Sequence, residues 1–470
     1  FRPDPTIWDG SYANNQWLQE LPKPLSQLTW DNAALISPAT AKQLAVKNGD
    51  MLDLVYDGRS LNIPAYIVPA HPNDTITVYL GYGRARAGRI GNGTGFNAYR
   101  IRTSKTPWWG AGVEARKAGR KYQLASAQMH FYMEGRGIVK TGTLQELEEH
   151  PNDPHFMHGE HHTPASSLYD TRWPSDQPLP PAHGEGAEAH SDEPKIAGAP
   201  HRPGRQVVGP VPGTGPSQWG MVIDLNACIG CNACVIACQA ENNISTVGKD
   251  QVLNNREMHW IRVSTYYTGS PEDPQDPVFQ PVPCMHCEKA PCEPVCPVEA
   301  TSHSPEGINE MTYNRCIGTR YCENNCPYKV RRFNYFQYAD QKTPTIELMR
   351  NPDVTVRSRG VMEKCTYCVQ RVNQARIEAE KENRPLRDGD VITACAQVCP
   401  TEAIIFGDIS DTSSNNGKGS RVRQAKLLPL NYALLTELNT QPRTSYLAKL
   451  RNPNPALASA TGETAPKAGH

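Results

Sequence analysis

A chain of 470 residues with a formal net charge of zero has no overall field to draw nucleic acid, and it is long enough for two or three domains with cores of their own. No apolar run reaches the ~18–20 residues of a membrane-spanning helix, and 36 glycines and 41 prolines imply long irregular segments rather than one dense globule. The chain opens on Phe1 with no initiator methionine, basic n-region or apolar h-region, which reads as a fragment or processed product whose export signal would lie upstream.

Residues 1 to about 30 are punctuated by Pro3, Pro5, Gly10, Pro22 and Pro24 and read as irregular. Ser37 and Pro38 then make an N-cap and a first helical position for a short helix over Ala39–Val46, which Asn48-Gly49-Asp50 stops. Three strands are expected at Met51–Tyr56, Leu61–Val68 and Thr75–Leu80, the first two joined by a hairpin turn at Asp57-Gly58. The segment Gly81–Gly95 is rich in glycine and carries Arg84, Arg86 and Arg89. It reads either as a phosphate cradle or as a wide connecting loop with solvated arginines; the second is preferred, because no strand–G-x-G-x-x-G–helix context surrounds it. These features make residues 1–145 a small β-rich domain. Residues 146–217 are dominated by Pro, Gly, His and acidic residues and read as a linker. Within it His155, His158, His161 and His162 are read as a solvated loop rather than a metal site, since no carboxylate or cysteine stands at ligand spacing.

Residues 218–410 hold all fifteen cysteines, in four runs. The first is Cys228, Cys231, Cys234 and Cys238; the second is Cys284, Cys287, Cys292 and Cys296, followed by Pro297. The third is Cys316, Cys322 and Cys326, followed by Pro327, with Thr319 where a middle cysteine is expected. The fourth is Cys365, Cys368, Cys395 and Cys399, followed by Pro400, and its long gap holds a surface helix over Val369–Asn383. An internal repeat is visible: Cys228-Ile-Gly-Cys231-Asn-Ala-Cys234 aligns with Cys316-Ile-Gly-Thr319-Arg-Tyr-Cys322, and Cys296-Pro-Val-Glu-Ala aligns with Cys399-Pro-Thr-Glu-Ala. Soft thiolates in such close runs suit iron–sulfur clusters, three from a tight loop and a fourth from a remote cysteine. Zinc remains an alternative for the fourth run alone, and disulfides are the other rival. After residue 410, Asp411–Lys418 reads as a polar loop, and Leu427–Leu438 and Ser445–Leu450 as short helices separated by Pro442, within a tail over residues 411–470.

Residues 219–405 resemble the four-cluster ferredoxin subunits of membrane-bound polysulfide, nitrate and formate oxidoreductases. That resemblance implies two ferredoxin-like units packed pseudo-symmetrically. It also implies three [4Fe–4S] clusters, on Cys228, Cys231, Cys234 and Cys399, on Cys365, Cys368, Cys395 and Cys238, and on Cys284, Cys287, Cys292 and Cys326. A fourth site takes Cys316, Cys322 and Cys296, and with Thr319 at the missing corner a [3Fe–4S] cluster is expected; the alternative is a four-iron cluster completed by water or hydroxide. The order of helix, Lys47-Asn48-Gly49-Asp50 turn, strands and Gly-rich loop over about residues 25–105 resembles the C-terminal β-barrel domain of molybdopterin oxidoreductases. The fold class expected is therefore α+β: a small barrel, an irregular linker and a duplicated ferredoxin-like domain.

The stretches Cys316–Phe333, Leu434–Tyr446 and Arg451–Pro455 resemble the iron–sulfur subunit of alternative complex III, in which both domain types share one chain. This implies an electron-transfer subunit without catalytic residues of its own and without molybdenum. Its implied partners are an integral membrane quinol-binding subunit and haem c subunits, on the extracytoplasmic (periplasmic) face of the membrane. The competing readings are the iron–sulfur arm of a working molybdenum reductase, and a mainly structural scaffold. Lys329, Arg331 and Arg332 read either as a partner surface or as a solvated basic loop.

Overall fold

The computed structural model describes residues 1–130, 133, 136–151, 155–157, 217–267, 274, 277–340 and 342–452. Most of the expected linker, with His158, His161 and His162, lies outside the described residues, as does Pro455.

Local chemistry sets the first elements. The Ser37 hydroxyl accepts from Thr40 N at 3.0 Å and Pro38 opens the helix Pro38–Gln43, shorter at its end than expected. Asp57 and Gly58 both take positive φ, +50° and +72°, and turn the strand Asp50–Tyr56 into Arg59–Ile67 with Tyr56 paired to Arg59. The third expected strand survives only as Thr77–Val78. Two strands had no clear alternation to reveal them: Ala34–Ile36, buried throughout, and Glu114–Lys121, exposed along most of its length. Together they form a five-stranded sheet in the order Thr77–Val78, Ala34–Ile36, Arg59–Ile67, Asp50–Tyr56, Glu114–Lys121.

The expected barrel does not close among the described residues. One edge strand has two residues, and the other, Glu-Ala-Arg-Lys-Ala-Gly-Arg-Lys, presents charges that discourage further pairing. The preceding segment, expected to be irregular, carries a helix at Gln16–Glu20 capped by the Asn15 side chain.

In the cysteine domain, two antiparallel pairings decide which runs meet. The strand Trp219–Asp224 ends just before Cys228, and Ile404–Asp408 begins just after Cys399; their pairing, Ile223 opposite Ile404, draws the first run to the fourth. The hairpin of Thr301–His303 with Asn309–Met311 lies between Cys296 and Cys316, and folds the second run onto the third. The helix Val369–Lys381 fills the gap in the fourth run as expected.

The tail departs from expectation. Ser445–Leu450 is not helical: Thr444–Leu447 adds in parallel to Trp219–Asp224, with Tyr446 fully buried and its hydroxyl donating to Pro281 O at 2.9 Å. An open strand edge with unpaired backbone groups outweighs the weak helix propensity of Thr-Ser-Tyr-Leu. Nor is Leu427–Leu438 a helix, because Pro429 lacks the N–H a helix interior needs. The helix lies just before it, Arg421–Lys426, started by the Ser420 hydroxyl.

One apolar core contains most of the cysteines, and Leu21 of the N-terminal region belongs to it. Two further contacts tie the regions together: Asn232 Nδ2 donates to Pro22 O at 2.6 Å, and Gly248 N donates to Glu20 Oε2 at 2.7 Å.

Candidate metal centres

The repeated cysteine loops fold alike, residue for residue. Gly230 and Gly318 take φ of +68° and +75°, and the residues two further on, Asn232 and Arg320, take +62° and +60°. These positive φ values curl each loop so that a helix can start behind it, Ala233–Glu241 in one repeat and Tyr321–Asn324 in the other. A Cβ on Gly318 would stand 2.6 Å from Gly360 O, so glycine is required there twice over. Cys231 and Thr319 occupy equivalent positions, and both are exposed. The Cys-Pro-x-Glu-Ala segments match too: Glu299 and Glu402 have φ of +49° and +51°, which aims the next N–H at the sulfur. Ala300 N donates to Cys296 Sγ and Ala403 N to Cys399 Sγ, each at 3.2 Å. In the paired C-x-x-C loops, His286 N and Tyr367 N donate to Cys284 Sγ and Cys365 Sγ, each at 3.5 Å.

Four groups of cysteines are brought together. Cys284, Cys287, Cys292 and Cys326 line one small cavity with Tyr328 and Arg331. Cys296, Cys316 and Cys322 line a second with Thr319, Thr301 and Met311. Cys228, Cys231, Cys234 and Cys399 are close enough for their charges to act on one another, and so are Cys238, Cys365, Cys368 and Cys395. Among the described residues no three such side chains converge on a single ion. Cluster thiolates stand at the corners of a cube and need not converge.

The donor chemistry fits iron–sulfur clusters. Burial pushes the thiols of Cys234, Cys238, Cys287 and Cys365 well up, helped by their neighbouring cysteines, and pushes Cys292 and Cys368 to about 12. Thiolates crowded in such a place require positive charge between them, which iron supplies. The half-buried Cys399 differs. Burial pushes it up, but donors from Thr401, Ala403 and Ile404 outweigh burial and leave it lowered. Polar side chains add to the cradle: Asn242 Nδ2 reaches Cys238 Sγ at 3.5 Å and Cys368 Sγ at 4.0 Å, and the Thr393 hydroxyl lies 3.2 Å from Cys395 Sγ.

The basic segment after Cys326 needs correcting. Lys329 is exposed, but Arg331 and Arg332 are buried and form no solvated loop or outer surface. The short strand Arg332–Phe333 pairs with Met362–Glu363, and Arg332 turns inward to pair with Glu257 at 3.6 Å and to donate to His259 O at 3.2 Å. Arg331 Nη1 donates to Cys292 Sγ at 3.3 Å. No charge pattern distinguishes an inward arginine from an outward one; the only sequence sign was its nearness to Cys326.

In the Gly81–Gly95 loop, glycine permits close packing against the N-terminal segment. A Cβ on Gly81 would lie 2.7 Å from Gly10 N, and Arg84 Nη1 donates to Gly10 O at 2.6 Å. Arg86 and Arg89 are exposed. His155 begins a short 3-10 turn, His155–Met157.

Two copies of a cysteine-lined ferredoxin-like unit define the class as an iron–sulfur protein. Family models described as "4Fe-4S dicluster domain" match residues 275–351, and residues 227–300 with 315–403. The protein is 44% identical over 237 residues to the menaquinone reductase iron–sulfur cluster-binding subunit of Nitratidesulfovibrio vulgaris, an alignment covering 49% of the present sequence and 89% of that protein. It is 33% identical over 250 residues to the Hdr-like menaquinol oxidoreductase iron–sulfur subunit 1 of Archaeoglobus fulgidus (50% and 84%). It is 32% identical over 204 residues to one polypeptide of the polysulfide reductase of Wolinella succinogenes (43% and 82%). The protein belongs to the family of iron–sulfur cluster-binding subunits of molybdopterin-oxidoreductase-type menaquinol and polysulfide reductases. Among its described residues no helix is long and apolar enough to cross a membrane.

Proposed function

We propose that this chain is the electron-transfer subunit of a membrane-bound quinol oxidoreductase of the alternative complex III type. In this reading it works beside an integral membrane quinol-binding subunit and haem c subunits, as a peripheral subunit on the extracytoplasmic face. Clusters supply one-electron transfer when bound. The chain's residues hold, space and insulate them.

The ligands proposed are Cys228, Cys231, Cys234 and Cys399 for one [4Fe–4S] cluster, Cys238, Cys365, Cys368 and Cys395 for a second, and Cys284, Cys287, Cys292 and Cys326 for a third. Cys296, Cys316 and Cys322 take a [3Fe–4S] cluster. Its missing corner, at Thr319, is exposed, as the equivalent Cys231 is. A hydroxyl there stays protonated at neutral pH and cannot compete with water for iron. Residues 1–145 are read as a molybdopterin-oxidoreductase-like unit without molybdenum, residues 146–217 as a linker and residues 411–470 as a tail.

The observation that carries the reading is a continuous line of sulfur sites. Cys234 acts on Cys395, linking the first site to the second; Cys365 acts on Cys284, linking the second to the third; and Arg331 lies between Cys292 of the third and Cys322 of the fourth. Such an unbroken series suits conduction between two partners better than a scaffold role.

Anaerobic addition of a menaquinol or ubiquinol analogue to the purified assembly should abolish the oxidised three-iron electron paramagnetic resonance (EPR) signal, in protein free of molybdenum. A signal that dithionite reduces but quinol leaves untouched would contradict the reading.

A further inference from the structure

Arg331 is 2% exposed, yet among the described residues no carboxylate pairs with it. Leaving a buried guanidinium without a counter-charge is strongly destabilising, so something anionic must answer it. What surrounds it is sulfur and neutral oxygen. Nη1 donates to Cys292 Sγ at 3.3 Å and to Asn309 Oδ1 at 3.4 Å; Nη2 donates to Thr301 Oγ1 at 2.6 Å and to Met311 Sδ at 3.3 Å. Its charge also acts on the Cys322 sulfur. Arg331 and Asn309 line the cavity of Cys284, Cys287, Cys292 and Cys326, whereas Thr301 and Met311 line that of Cys296, Cys316 and Cys322. The guanidinium is therefore in the wall between two sites: it touches the sulfur of Cys292 in one and the lining residues Thr301 and Met311 of the other. At the site of Cys238, Cys365, Cys368 and Cys395 the sulfurs of Cys238 and Cys368 are approached by a neutral amide, Asn242, and the cation that acts on Cys368 and Cys395, Arg371, is already paired with Glu241 at 2.7 Å.

We propose that Arg331 is a shared counter-charge of these two sites, raising the reduction potentials of both their clusters. The inference rests on the cluster assignment proposed above. Reduction adds negative charge to a cluster, and a fixed cation at its sulfur ligand in a poorly screened interior favours the reduced form. The fork geometry matters: two nitrogens reach two sites at once, which a lysine ammonium could not do. Arg331 is thus a positioning residue for charge, not a group that reacts.

The test is an anaerobic redox titration of the assembled complex, followed by EPR, on wild type, Arg331→Gln and Thr301→Asp. Gln removes the charge. Asp places a carboxylate where the Thr301 hydroxyl now accepts, cancelling the field while keeping the guanidinium in place, and so covers the case in which Gln does not retain iron. In either variant the midpoints of the three-iron cluster and of the cluster on Cys284, Cys287, Cys292 and Cys326 should fall, while that of the cluster on Cys228, Cys231, Cys234 and Cys399 stays unmoved. Either variant holding full iron with unmoved midpoints overturns the proposal, as does a uniform fall at every cluster. A wild-type protein with no clusters to titrate would instead overturn the cluster assignment.

Discussion

The rings of His286 and Tyr367 stack at the centre of the cysteine domain, with centroids 3.7 Å apart and planes inclined by 26°. The two residues hold the same place in their repeats, each directly before the second cysteine of a C-x-x-C loop, at Cys287 and Cys368. Both have positive φ, +45° and +54°, and both are fully buried. The pair thus lies where the two halves of the duplicated domain meet. His286 Nδ1 accepts from Asn309 N at 3.1 Å, and burial drives its pKa well down, with Lys364, His303, Arg443 and Arg331 adding to the fall, so the ring stays neutral.

This stack predicts a graded loss. Tyr367→Phe keeps the ring and removes the contact between its hydroxyl and Thr444 Oγ1 at 2.7 Å, a cost of about 1 kcal/mol. Tyr367→Ala also removes the stack and opens a cavity between the repeats, costing about 3–5 kcal/mol. Urea titration of iron release should shift slightly in the first variant and strongly in the second. Equal shifts would mean that the hydroxyl, not the ring, joins the halves.

Thr319 carries the second prediction. With backbone curled as in the cysteine repeat, Thr319→Cys should supply the missing thiolate without rearrangement. The oxidised three-iron EPR signal should vanish and the iron content rise by about one per chain. A variant that keeps the signal would show that residue 319 does not face the cluster.

Glu20 sets a pH dependence on the contact between the N-terminal region and the cysteine domain. Its carboxylate is fully buried and accepts from Val247 N, Gly248 N and Trp30 Nε1. Burial raises its pKa from 4.5 to about 7, against the hydrogen bonds that favour the charged form. The folded state therefore holds the proton more tightly than the unfolded chain. Its stabilising contribution is complete below the ordinary carboxylate value and is lost as pH climbs through about 7, a change on the order of 3 kcal/mol. Glu20→Gln should flatten that decline in unfolding measured between pH 5 and 8. An unchanged slope would assign the dependence to another group.

How much of this was legible beforehand depends on what kind of information each feature carries. Cysteine spacing is a property of the sequence itself, so the four runs, the repeat and the place of Thr319 could all be read directly. Local turn chemistry likewise announced Asp57-Gly58 and the Ser37-Pro38 helix start. The strand Thr444–Leu447 was not legible, because its cause is a partner strand more than two hundred residues away, Trp219–Asp224. Glu114–Lys121 has no apolar alternation and is held by backbone pairing to Asp50–Tyr56. Arg331 looked like its exposed neighbour Lys329, since what turns it inward is a set of partners brought close by the fold, the sulfur of Cys292 among them. The Gly81–Gly95 loop shows the converse: glycines that suggest an anion site are used to bring two backbones together.

The central claim is that the fifteen cysteines hold three four-iron clusters and one three-iron cluster in a chain that carries electrons and no molybdenum. Metal and acid-labile sulfide analysis of the purified complex, with EPR of the oxidised sample, tests it most directly. The account predicts about fifteen irons per chain, an oxidised three-iron signal and molybdenum at background. Stoichiometric molybdenum would instead make this the arm of a working molybdenum reductase, and zinc in place of iron would contradict the account altogether.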